Sequence, residues 1–184
     1  MKSVLISIKP YYVFLIIAHK MGLDIPQEEK TIEVRKDYPK DKEWNKVVHI
    51  YCSKDIKSFN LIPVQYQSLM EKFLGRVVGE FVCNAIYKWN YDYSDGVDID
   101  DDLILDTCLD REDINIYAKG KPLYGWHISD LKIYDKPKPI MQFYKPCPVE
   151  WKNCPSCEFY STNTGCCMNN VDRPPQSYMY VEEL

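Results

Sequence analysis

Long apolar runs are absent from this sequence of 184 residues. The longest apolar segment, residues 11–18, is far shorter than the roughly 20 residues that an α-helix needs to cross a bilayer. Lys9 and Pro10 interrupt any secretory hydrophobic segment, and no small-residue cleavage site follows it. We therefore expect a cytoplasmic protein without a membrane partner.

An excess of basic charge is also absent. The 23 lysines and arginines are outnumbered by 27 aspartates and glutamates, which gives a net charge of −4. Generic binding to duplex DNA is disfavoured, because it depends on a strongly basic surface that releases counterions. The acidic residues crowd into segment 92–113. The sequence thus predicts an acidic edge, which could engage a basic protein partner, and a separate basic face.

Histidine is scarce and tyrosine is abundant. Of three histidines, His19 is expected to end a helix and His49 to lie in a strand. His127 is therefore the candidate general acid or base, with a purely structural role as the alternative. The 15 tyrosines suit half-buried strands and binding surfaces alike, because the ring packs while the hydroxyl finds a hydrogen-bond partner.

Periodicity and turn residues predict one α+β domain over residues 1–184. Residues 136–139 (Lys-Pro-Lys-Pro) are expected to form an extended linker, and residues 146–172 an insertion before the final strand. The predicted strands are 4–8, 31–35, 47–52, 77–86, 124–134 and 176–181. The predicted helices are 11–19, 64–73, 103–109 and 110–118.

Residues 30–35 (Lys-Thr-Ile-Glu-Val-Arg) contain the predicted strand with the most informative pattern. Alternation places Thr31, Glu33 and Arg35 on one face and apolar side chains on the other. Such a face is either a solvated surface or a polar recognition surface. In the second case, a rigid strand would hold one carboxylate beside one planar guanidinium.

Five cysteines lie within residues 147–167, which we call the cysteine cluster. The segment has few apolar side chains, so a metal would supply the free energy that packing cannot. Cys154 and Cys157 form a C-x-x-C pair, and Cys147 with Cys166 or Cys167 would complete a tetrahedral structural zinc site. A redox-active pair, free thiols and disulfides are the alternatives.

Three segments resemble the ASCH domain of the PUA-like group. The sequence Ile8-Lys9-Pro10, an apolar helix and residues 30–35 resemble the opening of that domain. Residues 75–81 (Gly-Arg-Val-Val-Gly-Glu-Phe) resemble its central strand. Residues 124–129 and 173–181 resemble the longer ASCH proteins often carried by phages and their bacterial hosts. The resemblance implies a small β-barrel flanked by helices, with one mouth for a ligand.

The resemblance also implies a function, because PUA-like barrels hold a nucleotide or a modified base in a cleft. Binding of single-stranded RNA or a nucleotide is therefore the leading hypothesis. Aromatic rings would stack on bases, cations would bind phosphate, and Glu33 would contact a base edge. The candidate ligand-binding residues are Lys9, Thr31, Glu33, Arg35, Tyr124, Trp126, Gln176 and Tyr178.

Hydrolysis of a modified nucleoside or RNA is the alternative function. Small bacterial ASCH proteins hydrolyse the acetyl amide of N4-acetylcytidine with a lysine and, three residues later, a threonine nucleophile; other members are ribonucleases. The matching positions here are Lys30 and Glu33. A glutamate cannot replace the hydroxyl nucleophile, although it could act as a general base beside Thr31. We expect these residues to converge in the cleft with Lys9, Arg35, Trp126 and His127.

Overall fold

The strands divide among a six-stranded sheet, a three-stranded sheet and a two-stranded hairpin in the computed structural model, which describes residues 3–39, 45–146 and 170–183. The strands are β1 (Ser3–Ile8), β2 (Ile32–Arg35), β3 (Lys46–Cys52), β4 (Arg76–Cys83), β5 (Ile86–Trp89), β6 (Tyr91–Asp92), β7 (Gly96–Val97), β8 (Leu123–His127), β9 (Ser129–Pro139), β10 (Phe143–Tyr144) and β11 (Tyr178–Glu183). The helices are α1 (Pro10–Ile17), α2 (Ile56–Phe59), α3 (Val64–Glu71), α4 (Asp101–Thr107) and α5 (Arg111–Ala118), with a 3₁₀ turn over Ile140–Gln142.

The six-stranded sheet has the order β10-β11-β1-β3-β4-β9. Its β1–β3 pair is parallel, which requires a crossover connection, and α1 lies in that connection. Pro10 begins α1 at a position where its missing N–H removes no hydrogen bond. The helix packs against the sheet, and Phe14 and Ile17 are fully buried with Ile6 and Phe81 in the main core.

The three-stranded sheet has the order β2-β8-β5, and it shares a corner with the larger sheet. At this corner β4 continues into β5, and β8 continues into β9. The predicted single strands 77–86 and 124–134 are therefore wrong, since each is divided between two sheets. The corner is held by hydrogen bonds from the backbone N–H of His127 to Ala85 and from that of Ile128 to Thr31.

The predicted linker at residues 136–139 is also wrong, because these residues form the end of β9. Lys138 pairs with Val77, and Pro139 pairs with Arg76. A strand at the edge of a sheet tolerates proline, because the missing N–H can fall on the side without a partner strand. In the described part of the chain, β9 is such an edge strand.

The α+β class is confirmed, and the strands form a curled half-barrel flanked by helices. A second core lies between the three-stranded sheet and helices α4 and α5, where Ile32 and Ile114 are fully buried. Among the described residues, no helix is long and apolar enough to span a membrane. Most of the predicted insertion 146–172, including the whole cysteine cluster, lies outside the described residues.

Candidate functional site

A cavity of about 590 Å³ lies beside β2. Its walls come from the C-terminal end of β1, the first turn of α1, the residues after β3 and one face of α5. Volumes of this size are typical of sites for small molecules and nucleotides. Strand β2 separates the cavity from the second core, because its polar face lines the cavity and its apolar face packs in the second core.

Three charged side chains on and beside β2 line the cavity, and we call Lys30, Glu33 and Arg35 the charged triad. Their side chains are 1%, 8% and 8% exposed, respectively. Lys30 Nζ lies 3.6 Å from Glu33 Oε2, and Arg35 Nε lies 3.1 Å from Glu33 Oε1. The carboxylate is thus held between two cations, as a buried charge requires.

Lys30 also has a structural role at the end of α4. Its ammonium donates hydrogen bonds to the carbonyl oxygens of Ile32 (2.7 Å) and Thr107 (2.6 Å). Thr107 is the last residue of α4, so Lys30 satisfies a carbonyl that the helix leaves unpaired. Burial lowers the pKa of Lys30, and the nearby charge of Glu33 opposes this effect.

Arg35 joins β2 to β1 through a hydrogen bond from its Nη2 to the carbonyl oxygen of Ser7 (2.6 Å). Its Nε is close to Glu33 but is not aligned for a hydrogen bond, and this buried atom has no partner among the described residues. Each oxygen of Glu33 has one close cation, and a carboxylate oxygen can accept more than one hydrogen bond. The triad therefore faces the cavity with unused hydrogen-bonding capacity.

Two tyrosines line the same cavity, and the sequence analysis did not single them out. Tyr12 lies in α1 with its ring centroid 5.5 Å from Lys30 Nζ, and Tyr117 lies in α5. Burial raises the pKa of both hydroxyls, so both remain protonated donors at neutral pH. Helical spacing could have indicated Tyr117, because it shares one face of α5 with Asp113 and Ile116, which also line the cavity.

Five of the predicted site residues line the cavity. Lys9 and Gln176 do so as exposed residues, and the triad does so as buried ones. Lys119 adds a further exposed cation, and Asp55 and Asp113 add two carboxylates. The cavity thus has four cationic and three acidic side chains, a local charge that is more positive than that of the whole chain.

The predicted aromatic residues Trp126 and Tyr124 pair with Glu33 and Arg35 between β8 and β2, but they do not line the cavity. Trp126 is fully buried, and its indole N–H donates to the carbonyl oxygen of Asp37 (3.2 Å). Tyr178 packs against Trp126, while Tyr124 packs against Tyr38. Trp126 therefore lies beside the triad, but a ring without exposed surface cannot stack on a base in this conformation.

His127 and Thr31 are also absent from the cavity wall. The ring Nδ1 of His127 lies 2.6 Å from Asn84 Oδ1, at the corner where the strands change sheets. The backbone of Thr31 donates to Asp106 in α4 and accepts from Ile128. The expected convergence of His127 with the triad is wrong, and both residues make contacts that hold the elements around the cavity together.

The described residues contain no group of three or more histidine, cysteine, aspartate or glutamate side chains that could hold a metal ion. Cys52 and Cys83 are buried, and burial raises the pKa of their thiols to about 12 and about 11, respectively. Both are therefore poor metal ligands and nucleophiles. The zinc ligands predicted in the cysteine cluster lie outside the described residues.

Three solved structures with a similar fold are of the ASCH protein of Zymomonas mobilis and two of its variants. The ASCH protein of Zymomonas mobilis matches 98% of this chain over 87% of its own length, with 16% identity and a TM-score of 0.54. A tyrosine-to-phenylalanine variant of that protein matches 99% of this chain over 91% of its own length, with 15% identity and a TM-score of 0.54. A serine-to-alanine variant matches 98% of this chain over 88% of its own length, with 14% identity and the same TM-score of 0.54. No family model and no curated protein matches the sequence. The likeness extends over nearly the whole chain, which therefore has the fold of the ASCH proteins.

Proposed function

We propose that the cavity binds a nucleotide, either free or as part of single-stranded RNA. The observation that carries this proposal is the buried charged triad, Lys30, Glu33 and Arg35, on the wall of a 590 Å³ cavity. Burying three charges is costly, and a purely structural role would not require them to face a cavity. The fold shared with ASCH proteins supports an RNA-interacting module.

The other residues of the cavity match the parts of a nucleotide. Tyr12 and Tyr117 offer aromatic rings for a base. Lys9 and Lys119 are exposed cations at the cavity and can attract phosphate. Because the net charge of the chain is negative, this attraction is local, and binding should weaken as the salt concentration rises.

Binding of a labelled single-stranded oligoribonucleotide, followed by fluorescence anisotropy, tests the proposal. Replacing Tyr117 with alanine should weaken binding by about 1–3 kcal/mol, because the base loses a stacking partner. Tyr93→Ala is the matched control, since Tyr93 is 90% exposed and does not line the cavity. Binding that is not saturable, or that weakens equally in both variants, would reject the proposal.

Hydrolysis of a modified nucleoside or RNA is the second candidate function. It is favoured by one observation, the buried Lys30 with its lowered pKa beside the carboxylate of Glu33 in a cavity. Perturbed groups of this kind are frequent in active sites. Glu33→Gln separates the candidates: a general base would lose most turnover and keep affinity, whereas a binding residue would lose affinity. His127 is not part of this proposal, because it lies outside the cavity.

A further inference from the structure

We infer that the cavity prefers guanine, with the carboxylate of Glu33 accepting hydrogen bonds from N1–H and the 2-amino group of the base. This inference rests on the proposed function, and it names the base that the nucleotide site would select. It depends on the position and the unused acceptors of one side chain. The comparison with other bases follows from ordinary hydrogen-bonding chemistry.

Glu33 is a fixed acceptor. It lies on a short strand in which every residue is buried. Its Oε2 is 3.6 Å from Lys30 Nζ, and its Oε1 is 3.1 Å from Arg35 Nε. These contacts stabilise the negative charge, and each oxygen can still accept a hydrogen bond from a further donor, since a carboxylate has about four lone-pair sites. A buried carboxylate is strongly stabilised by such donors, so the cavity is suited to a ligand that provides them.

Guanine is the standard base that presents two adjacent N–H donors on its Watson–Crick edge. Adenine and cytosine present an amino group beside a ring nitrogen acceptor, and uracil presents one N–H between two carbonyl groups. An acceptor lone pair facing a carboxylate is repulsive, so these bases would each lose at least one hydrogen bond. The O6 acceptor of guanine would fall on the side of N1, next to a donor such as Arg35 Nε, which has no hydrogen-bond partner among the described residues.

A guanidinium ligand also presents two adjacent donors, but the surroundings disfavour it. Lys30 and Arg35 already neutralise the carboxylate, so a third cation would be repelled. A neutral base avoids this repulsion. Its attached phosphate would be attracted by the exposed Lys9 and Lys119, whereas a guanidinium compound has no group for them.

The test is a ligand series on the unaltered protein, with affinities measured by calorimetry. Guanosine monophosphate should bind tightest. Inosine monophosphate lacks the 2-amino group, and 1-methylguanosine monophosphate lacks N1–H. Each should therefore bind at least about tenfold more weakly than guanosine monophosphate. The adenosine, cytidine and uridine monophosphates should bind at least as weakly as the inosine compound.

The variant Glu33→Gln adds a second test. It should reduce the affinity for guanosine monophosphate to about that of inosine monophosphate, a larger loss than the one for adenosine monophosphate. Thermal unfolding of the variant confirms that the folded protein is being measured. Because the ligand series uses the unaltered chain, the inference stays testable even if this variant does not fold.

The outcomes distinguish this inference from the proposed function. Equal affinity for all the monophosphates, or a loss in Glu33→Gln that is equal for all of them, overturns the guanine preference and leaves nucleotide binding intact. Binding of argininamide more tightly than guanosine monophosphate overturns it in favour of a guanidinium ligand. If neither mononucleotides nor the oligoribonucleotide bind, the proposed function fails, and the guanine preference fails with it.

Discussion

Replacing Glu33 with glutamine should destabilise the fold by about 3 kcal/mol at neutral pH. Glutamine keeps the shape of the side chain but leaves Lys30 and Arg35 buried without a counter-charge. Breaking a buried ion pair from one side typically costs about 3–5 kcal/mol. We expect the lower end, because the triad faces a cavity and is not enclosed by protein on every side.

The destabilisation should depend on pH in a defined direction. Burial holds the pKa of Lys30 in the folded protein below its ordinary value, so the unfolded chain binds more protons between those two values. The contribution of Lys30 to the free energy of unfolding is therefore greatest above the ordinary lysine pKa. It is lost as the pH falls toward the pKa that Lys30 has in the folded protein. Glu33 normally raises the pKa of Lys30, so in Glu33→Gln the free energy of unfolding should go on falling to a lower pH than in the unaltered protein. The deficit of the variant should shrink as the pH rises.

Urea unfolding at a series of pH values between about 6 and 10 measures this effect, with a limiting slope of about 1.4 kcal/mol per pH unit for one proton. Glu71→Gln is the matched control, since Glu71 is an exposed glutamate in α3 and its variant should unfold like the unaltered protein. A Glu33→Gln variant as stable as the control at every pH would refute the view that the carboxylate neutralises two buried cations.

Three further predictions concern packing, capping and metal. Gly125→Ala should lower the free energy of unfolding by about 1–3 kcal/mol in urea titrations, because the new methyl group would collide with the ring of Trp89. Asp110→Ala should lower it by about 1 kcal/mol, because its carboxylate caps α5 by accepting from the backbone N–H of Asp113 (2.7 Å); an unchanged melting temperature would contradict this. We also propose that the cysteine cluster holds one structural zinc: elemental analysis should find about one zinc per chain, and chelation should lower the melting temperature.

The sequence predicted the structure correctly where the arrangement depends only on the periodicity of neighbouring residues. The alternation over residues 31–35 correctly placed Ile32 and Val34 in a core and predicted that Glu33 and Arg35 share the opposite face. The two faces of a strand differ whatever the strand pairs with. The cap at Asp110 was predictable for a similar reason, because an N-cap contact spans three residues.

Pairing between distant segments was not predictable in the same way. Residues 77–86 and 124–134 read as continuous strands, and their periodicity is indeed close to that of a strand throughout. What divides them is a contact between the two segments, the hydrogen bond from His127 to Ala85. The same limitation explains Trp126, whose burial depends on Asp37 and Tyr178, residues far away in the sequence. A single sequence gives no measure of such contacts.

The charged triad has two roles that differ in their consequences for mutation. Lys30 satisfies the end of α4, and Arg35 joins β2 to β1, so both help to build the walls of the cavity. Glu33 makes their burial possible, and its oxygens are the part of the triad with unused acceptors. Substituting any of the three will therefore change stability and binding together. Tyr117 differs, because it is 38% exposed and is not part of the triad's ion-pair network. An affinity change in Tyr117→Ala can thus be assigned to the ligand, and a change in a triad variant only after its stability has been measured.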